Sequence, residues 1–212
     1  MEVIQIYYLI PPQLNKNLAR MSIDLSQMLR PGDKTMEQVR NEIKTEPKFC
    51  RDEYGIEFKY LYSSVVSDIS LYASINGKIA GLLTFMFVER GSDIYILLNG
   101  ICSPEKYKDL GVGQQLINTL ISIGKSSHVK YINLDCKGEG LMNYYRRFGF
   151  IVTKSYTAED SDDSDDEGDM HYKMRLDLSR ITGGKKKKIR TLKRKTRRAK
   201  RKNTRRKLRK YH

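Results

Sequence analysis

The chain has 212 residues, 39% of them apolar, enough for one ordinary domain with additional segments. Its formal charge of +15 is unevenly placed: 18 Lys and Arg and no acid lie in 183–212, 8 acids and no base lie in 159–169, and the remainder holds 22 bases and 17 acids. No apolar run approaches the roughly 18–20 residues of a membrane span, and Met1-Glu2 with Val3–Ile10 lacks the basic start and cleavage site of a secretory signal, so an intracellular protein without membrane insertion is expected. Cys50, Cys102 and Cys136 are far apart and form no C-x-x-C, and the histidines number only 3, so neither a disulfide framework nor a metal centre is indicated.

Val3–Ile10 is rich in strand formers and stops at Pro11-Pro12, which predicts an opening strand. Leu18, Met21, Leu25, Met28 and Leu29 recur at helical spacing, which predicts a helix over Leu14–Leu29 closed by Pro31-Gly32. A second helix is expected from Asp33-Lys34-Thr35 to about Ile43, while 46–67 carries no clear periodicity. Ser70–Ile75, the turn Asn76-Gly77 and Lys78–Val88 read as a hairpin, followed by a Gly91-Ser92 turn and a strand over Asp93–Ser103. Asn99-Gly100 within that strand resembles a hairpin turn, but too few residues follow before Pro104 for a return strand, so a β-bulge is predicted there.

Leu110–Lys125 places Val112, Leu116, Ile117, Leu120 and Ile121 on one helical face, with Gly124 as the expected stop and Asp109 as an expected N-cap. Tyr131–Cys136 reads as a buried strand, Gly140–Arg147 as a short helix, and Phe148–Tyr156 and Met170–Leu178 as a final hairpin whose loop is the acidic insert. A strand-helix-strand unit set among antiparallel strands predicts an α/β fold, a mixed and mostly antiparallel sheet with helices on both faces. The expected domain is 1–182, with an acidic loop at 157–169 and a polybasic tail at 183–212.

The chemistry concentrates after the bulged strand. Lys108, Gly111 and Gly113 fall where that strand gives way to a helix, and free amides in a helix's first turn suit phosphate oxygens. Two glycines at such a turn also serve packing alone. About thirty residues on, Tyr144-Tyr145-Arg146-Arg147-Phe148-Gly149-Phe150 closes the next helix.

Together these segments resemble the Gcn5-related N-acetyltransferase (GNAT) family. Lys108-Asp-Leu-Gly111-Val-Gly113 is similar to its pyrophosphate loop, with Lys in the place of Gln or Arg, and Tyr145 through Gly149-Phe150 is similar to its later signature. The resemblance implies a GNAT fold with a splayed, bulged strand, and acetyl-CoA as cosubstrate. Backbone groups of Ile101, Cys102 and Ser103 would then hold the pantetheine arm, and amides of Lys108, Asp109, Leu110, Gly111, Val112 and Gly113 the pyrophosphate. A backbone N–H near Ile101 or Cys102 would steady the oxyanion, and Tyr145 would return a proton to the leaving thiolate. Without that context, Tyr145 reads as a packed aromatic.

The pattern departs from the family in places. Gly138 and Leu141 stand where many members carry asparagine and alanine, Asp109 stands beside the expected phosphates, and Leu97 stands where histone-acetylating members carry a glutamate base. Deprotonation through Asp93, Asp135 or Glu139, or by solvent, remains open. The reading is an N-acetyltransferase acting on a primary amine of a protein, a polyamine or another cationic acceptor. The alternative is a catalytically weak binding protein of the same fold, tethered to nucleic acid by its tail.

The acidic insert borders the expected acceptor entrance. It reads either as an attractor of cationic acceptors or as a solvated loop. The tail matches a nucleic-acid-binding or nuclear-import segment and resembles in composition the tails of many giant DNA virus proteins, which implies the nucleus or a virion as destination. Folding back onto the insert, or a ribosome-directed address, accounts for the same composition.

Overall fold

A computed structural model of the chain describes residues 3–46, 49, 58–157 and 170–179. Beyond Thr157 the acidic insert, and the whole of the tail at 183–212, lie outside the described residues. The chain divides into two units, Met1–Asp177 and Leu178–His212.

The first unit is built on an eight-stranded sheet in the order β2-β1-β3-β4-β5-β6-β8-β7. Its strands are β1 (Gln5–Leu9), β2 (Arg30–Pro31), β3 (Ile69–Ile75), β4 (Lys78–Arg90), β5 (Asp93–Cys102), β6 (Tyr131–Lys137), β7 (Ile151–Thr157) and β8 (Met170–Asp177). The helices are α1 (Asn15–Arg20), α2 (Met36–Thr45), α3 (Phe58–Ser67), α4 (Val112–Ser126) and α5 (Gly138–Arg146). Among the described residues β1–β2 and β5–β6 pair in parallel and the other neighbouring strands pair antiparallel, as the mixed pattern predicted.

Adjacent residues of β4 show that helices cover both faces. A Cβ on Gly81 would meet Val112 and Leu116 of α4, whereas Leu82 belongs to the core formed with Val39 and Ile43 of α2 and Leu61 and Val65 of α3. A register shift between Ala73 and Ser74 pairs Gly81 with Ala73 and Ile79 with Ser74, leaving Ala80 as an extra residue. Ile79 and Leu82 therefore join Tyr72 in one cluster despite their odd spacing. The start of α2 was legible: Thr35 Oγ1 accepts from Gln38 N and Gln38 Oε1 accepts from Thr35 N, a capping box.

Several boundaries differ from expectation. The single helix predicted over Leu14–Leu29 stops at Arg20, because Ser22 takes a left-handed φ of 57° and Asp24 accepts from Ser26 N to start a separate turn over Leu25–Gln27. Leu18 and Leu25 are both buried, so two short turns mimic one helical period. The unassigned stretch contains α3, whose Leu61 and Val65 are fully buried. The α4 helix runs through Gly124 to Ser126 and stops at His128, with φ 54°, since a buried Gly124 packs within the helix instead of ending it. Helix α5 begins at Gly138, two residues before the predicted start, and β7 begins at Ile151 after the Phe148–Gly149 turn. Cys102 is disulfide-bonded, which wide spacing in sequence did not foretell, and Cys136 is free. Among the described residues no helix is long and apolar enough to cross a membrane.

Candidate active site

The site begins with a failure of pairing. Strands β5 and β6 match only at Ile96–Ile132, Leu97–Asn133 and Leu98–Leu134. At the next residue β5 bulges: Leu98 pairs with Phe85 and Gly100 with Thr84, leaving Asn99 extra, as predicted at Asn99-Gly100. The extra residue shifts the alternation, so that Leu98 and Ile101 share a face of β5. Among the described residues the β5–β6 ladder ends at Leu98–Leu134, and two cavities lie in the gap beyond it.

The larger cavity, about 410 Å³, brings together Ile101, Cys102 and Ser103 at the end of β5 with Lys108, Gly111 and Gly113 at the start of α4. Tyr145 completes the set of sequence-predicted side chains there. Asp109, Leu110 and Val112 do not line it: Asp109 and Leu110 face solvent, and Val112 is buried beneath Gly81. Only their backbone amides could serve a ligand.

The expected N-cap at Asp109 is a correction. Glu105–Leu110 forms a 3₁₀ turn, and α4 is entered through Gly111 at φ 72°, with no side chain capping it. A left-handed residue at this point reverses the chain and leaves the first-turn amides without a side-chain acceptor, while the helix dipole adds positive potential. A Cβ on Gly113 would lie 2.9 Å from the Tyr144 hydroxyl oxygen, so a larger residue there must displace that side chain.

Helix α5 supplies the opposite wall. Its Tyr145 is 5% exposed, packs edge-on against Tyr144 and Phe150, and lines both cavities. Burial, with smaller contributions from Cys136 and Tyr144, pushes its hydroxyl well above the ordinary phenol range, so it is protonated throughout the neutral range. Tyr144 and Arg147, which sequence reasoning passed over, also line the larger cavity, with the Arg147 guanidinium 4.9 Å from the Tyr144 ring centre. Tyr-Tyr-Arg-Arg in the motif was the available signal, since at the end of a short helix two of these four must face the same way.

The open choices for a base separate in space. Asp93 is bound by Lys130 at 2.7 Å, at the start of β5, and lines neither cavity. Glu139 is exposed and also lines neither. Asp135 lines the smaller cavity, of about 160 Å³, together with His171, and accepts a hydrogen bond from the Tyr156 hydroxyl at 2.7 Å. Leu97 pairs in register with Asn133 and is half-buried.

A family model described as acetyltransferase (GNAT) family matches residues 36–150. Among solved structures, Arabidopsis thaliana Naa50 in complex with the bisubstrate analogue CoA-Ac-MVNAL is similar at 16% identity and a TM-score of 0.53, covering 68% of this chain and 93% of that one. A GNAT-family protein from Desulfovibrio desulfuricans is similar at 15% identity and a TM-score of 0.50, covering 83% and 99%. The chain spans 65% of nourseothricin acetyltransferase, at 18% identity and a TM-score of 0.45 over 52% of this chain. No curated protein matches. The family match takes in more than half of the sequence, including the bulge, the α4 entry and Tyr145, and the chain belongs to the acetyltransferase (GNAT) family.

Proposed function

We propose that this family member transfers an acetyl group from acetyl-CoA to a primary amine on a protein or other cationic acceptor. The observation that carries the reading is the divergence of β5 from β6 after Leu98, which opens onto a cavity of about 410 Å³ with a helix N-terminus at one wall and Tyr145 at another. The donor set fits a coenzyme of this chemistry. The backbone of Ile101, Cys102 and Ser103, which borders the cavity, suits the amides of a pantetheine arm. The first-turn amides of α4, with Lys108 and Arg147 beside the cavity, suit a pyrophosphate.

In this reading a backbone N–H at Ile101 or Cys102 stabilises the oxyanion as the amine attacks the thioester carbon. The carbon–nitrogen bond forms, the carbon–sulfur bond breaks, and Tyr145 protonates the departing thiolate before regaining its proton from the second one shed by nitrogen. A buried, protonated phenol suits this role, because it donates only when a strong base forms beside it. Naa50, of like fold, is described with an analogue joining coenzyme A to a peptide N-terminus, which favours an amine on a polypeptide. Thermal shift with acetyl-CoA, then thiol release with peptide amines and polyamines, tests the reading. No shift and no release across that panel would leave a binding protein of this fold.

The basic residues of 183–212, 18 in number with no acid among them, fit attachment to nucleic acid through phosphates and hence placement in the nucleus or a virion. Filter binding by the full chain and by the truncation 1–182 tests this. Equal affinity and equal salt slope for the two would refute it.

A further inference from the structure

The smaller cavity has its own chemistry. It shares Ile101, Leu141 and Tyr145 with the larger one, so the two meet at the residue assigned to the thiolate. Its polar lining takes in Asn99 of β5, Asp135 and Lys137 of β6, Tyr145 of α5 and His171 of β8, of which Asp135 is the carboxylate and His171 the imidazole. Register brings them together with a third group: His171 pairs across the ladders with Lys137 of β6 and Tyr156 of β7, which sets all three on one face of the sheet. The Tyr156 ring stacks on the imidazole at 5.3 Å and 28°, while its hydroxyl donates to Asp135 Oδ2 at 2.7 Å. One tyrosine thus fixes both the imidazole plane and the carboxylate. Burial, then the bond to Asp135, pushes the Tyr156 hydroxyl up to about 12, so it acts as a donor and does not compete for protons near neutrality.

Resting on the acetyl-transfer reading above, we propose that this cavity receives the acceptor amine, with Asp135 binding its ammonium group, His171 removing the first proton, and Tyr156 positioning both. The volume of about 160 Å³ suits a narrow primary amine. The charged and titratable groups around the imidazole are Asp135 and Lys137 on β6, Tyr145 on α5, Tyr156 and Lys154 on β7, and Lys173 on β8. The proton balance closes. The ammonium gives one proton to His171 and through it to solvent, amide formation sheds a second, and the thiolate takes one through Tyr145. Each turnover yields the amide, coenzyme A as the thiol, and one free proton.

The test uses the full chain, acetyl-CoA and the best amine of the panel. His171→Gln is expected to bind acetyl-CoA within about twofold of wild type by calorimetry and to lose about 10²-fold in kcat/KM near neutral pH. That deficit should shrink as pH rises toward the amine's own ionisation, where solvent supplies free amine. Asp135→Asn should raise the KM for the amine more than it lowers kcat, and Tyr156→Phe should lower kcat/KM less than either. If His171→Gln fails to bind acetyl-CoA, His171→Asn takes its place. Wild-type kcat/KM in the histidine variants, or a loss equal at every pH, overturns the proposal while leaving acetyl transfer intact. A wild-type protein that neither binds acetyl-CoA nor releases thiol overturns both.

Discussion

Asn99, the extra residue of the β5 bulge, donates its side-chain amide to Asp68 Oδ2 at 2.7 Å. Asp68 is 3% exposed, follows α3 directly, and takes a second hydrogen bond from Ser67 Oγ at 2.9 Å. A bulge leaves one residue outside the ladder, and here that residue is tied through a buried carboxylate to the end of a helix on the sheet's other layer. The gap that holds both cavities is therefore held open by a polar contact between segments far apart in sequence.

Asn99→Ala leaves the Asp68 carboxylate short of a partner and should cost about 1–3 kcal/mol of stability. It should also weaken acetyl-CoA binding, because the bulge sets the position of Ile101 and Cys102. Urea unfolding and calorimetry read the two effects separately. A variant with wild-type values in both would show that the bulge holds without this contact.

Gly111 and Gly113 should fail in different ways. Gly111→Ala meets no atom within 4 Å but must adopt φ 72°, so the expected loss is about 1–2 kcal/mol in stability. Gly113→Ala brings a methyl against the Tyr144 hydroxyl and narrows the phosphate end of the cavity. Its expected signature is acetyl-CoA affinity reduced roughly tenfold, about 1.4 kcal/mol, with little change in melting temperature. The reverse pattern would overturn the assignment of the two glycines.

Gly81→Ala tests how α4 is seated. Its Cβ would lie 2.5 Å from Val112 Cγ1 and 3.2 Å from the Cys102 carbonyl oxygen. The helix cannot move off the sheet without shifting its own N-terminus, so overpacking should cost about 1–3 kcal/mol and lower coenzyme affinity together with it. Denaturant midpoints and binding measured on the same preparation check this coupling.

Tyr145→Phe keeps the ring packed and removes the hydroxyl. The expected outcome is acetyl-CoA affinity close to wild type with kcat lower by about 10²-fold or more. Unaltered kcat would return Tyr145 to a packing role alone.

The free thiol of Cys136 gives a pH prediction. Burial, and then the Asp135 charge, push it up to about 11 from an ordinary value of 9.0. The folded state thus keeps a proton that the unfolded chain releases at lower pH. The resulting stability is present below the ordinary thiol value and is lost as pH rises toward about 11. Between roughly pH 8 and pH 11, Cys136→Ala should lose about 2–4 °C less in melting temperature than wild type. Parallel curves for the two proteins would refute the assignment.

The parts of this fold readable in advance were those written in local pattern. Alternation and turn residues marked β3, β4 and the hairpin between them, and Asp33-Lys34-Thr35 marked the start of α2. Asn99-Gly100, too close to Pro104 for a return strand, marked the bulge. The failures were equally physical. Leu18 and Leu25 satisfy helical spacing, yet the local hydrogen bonds of Asp24 outcompete a continuous helix. Helix α3 has weak periodicity and owes its place to Leu61 and Val65 packing on α2 and the sheet.

By itself the sequence determined the class of chemistry, because a phosphate-suited turn and a tyrosine at a helix end require only neighbours in the chain. It also determined the split of charge among domain, insert and tail. Only the tertiary structure decided which groups share a cavity. Asp135, Tyr156 and His171 come from three strands and meet through ladder register, which no single segment encodes. The same holds for Asn99 and Asp68: each is an ordinary polar residue until the sheet and α3 place one amide against one buried carboxylate.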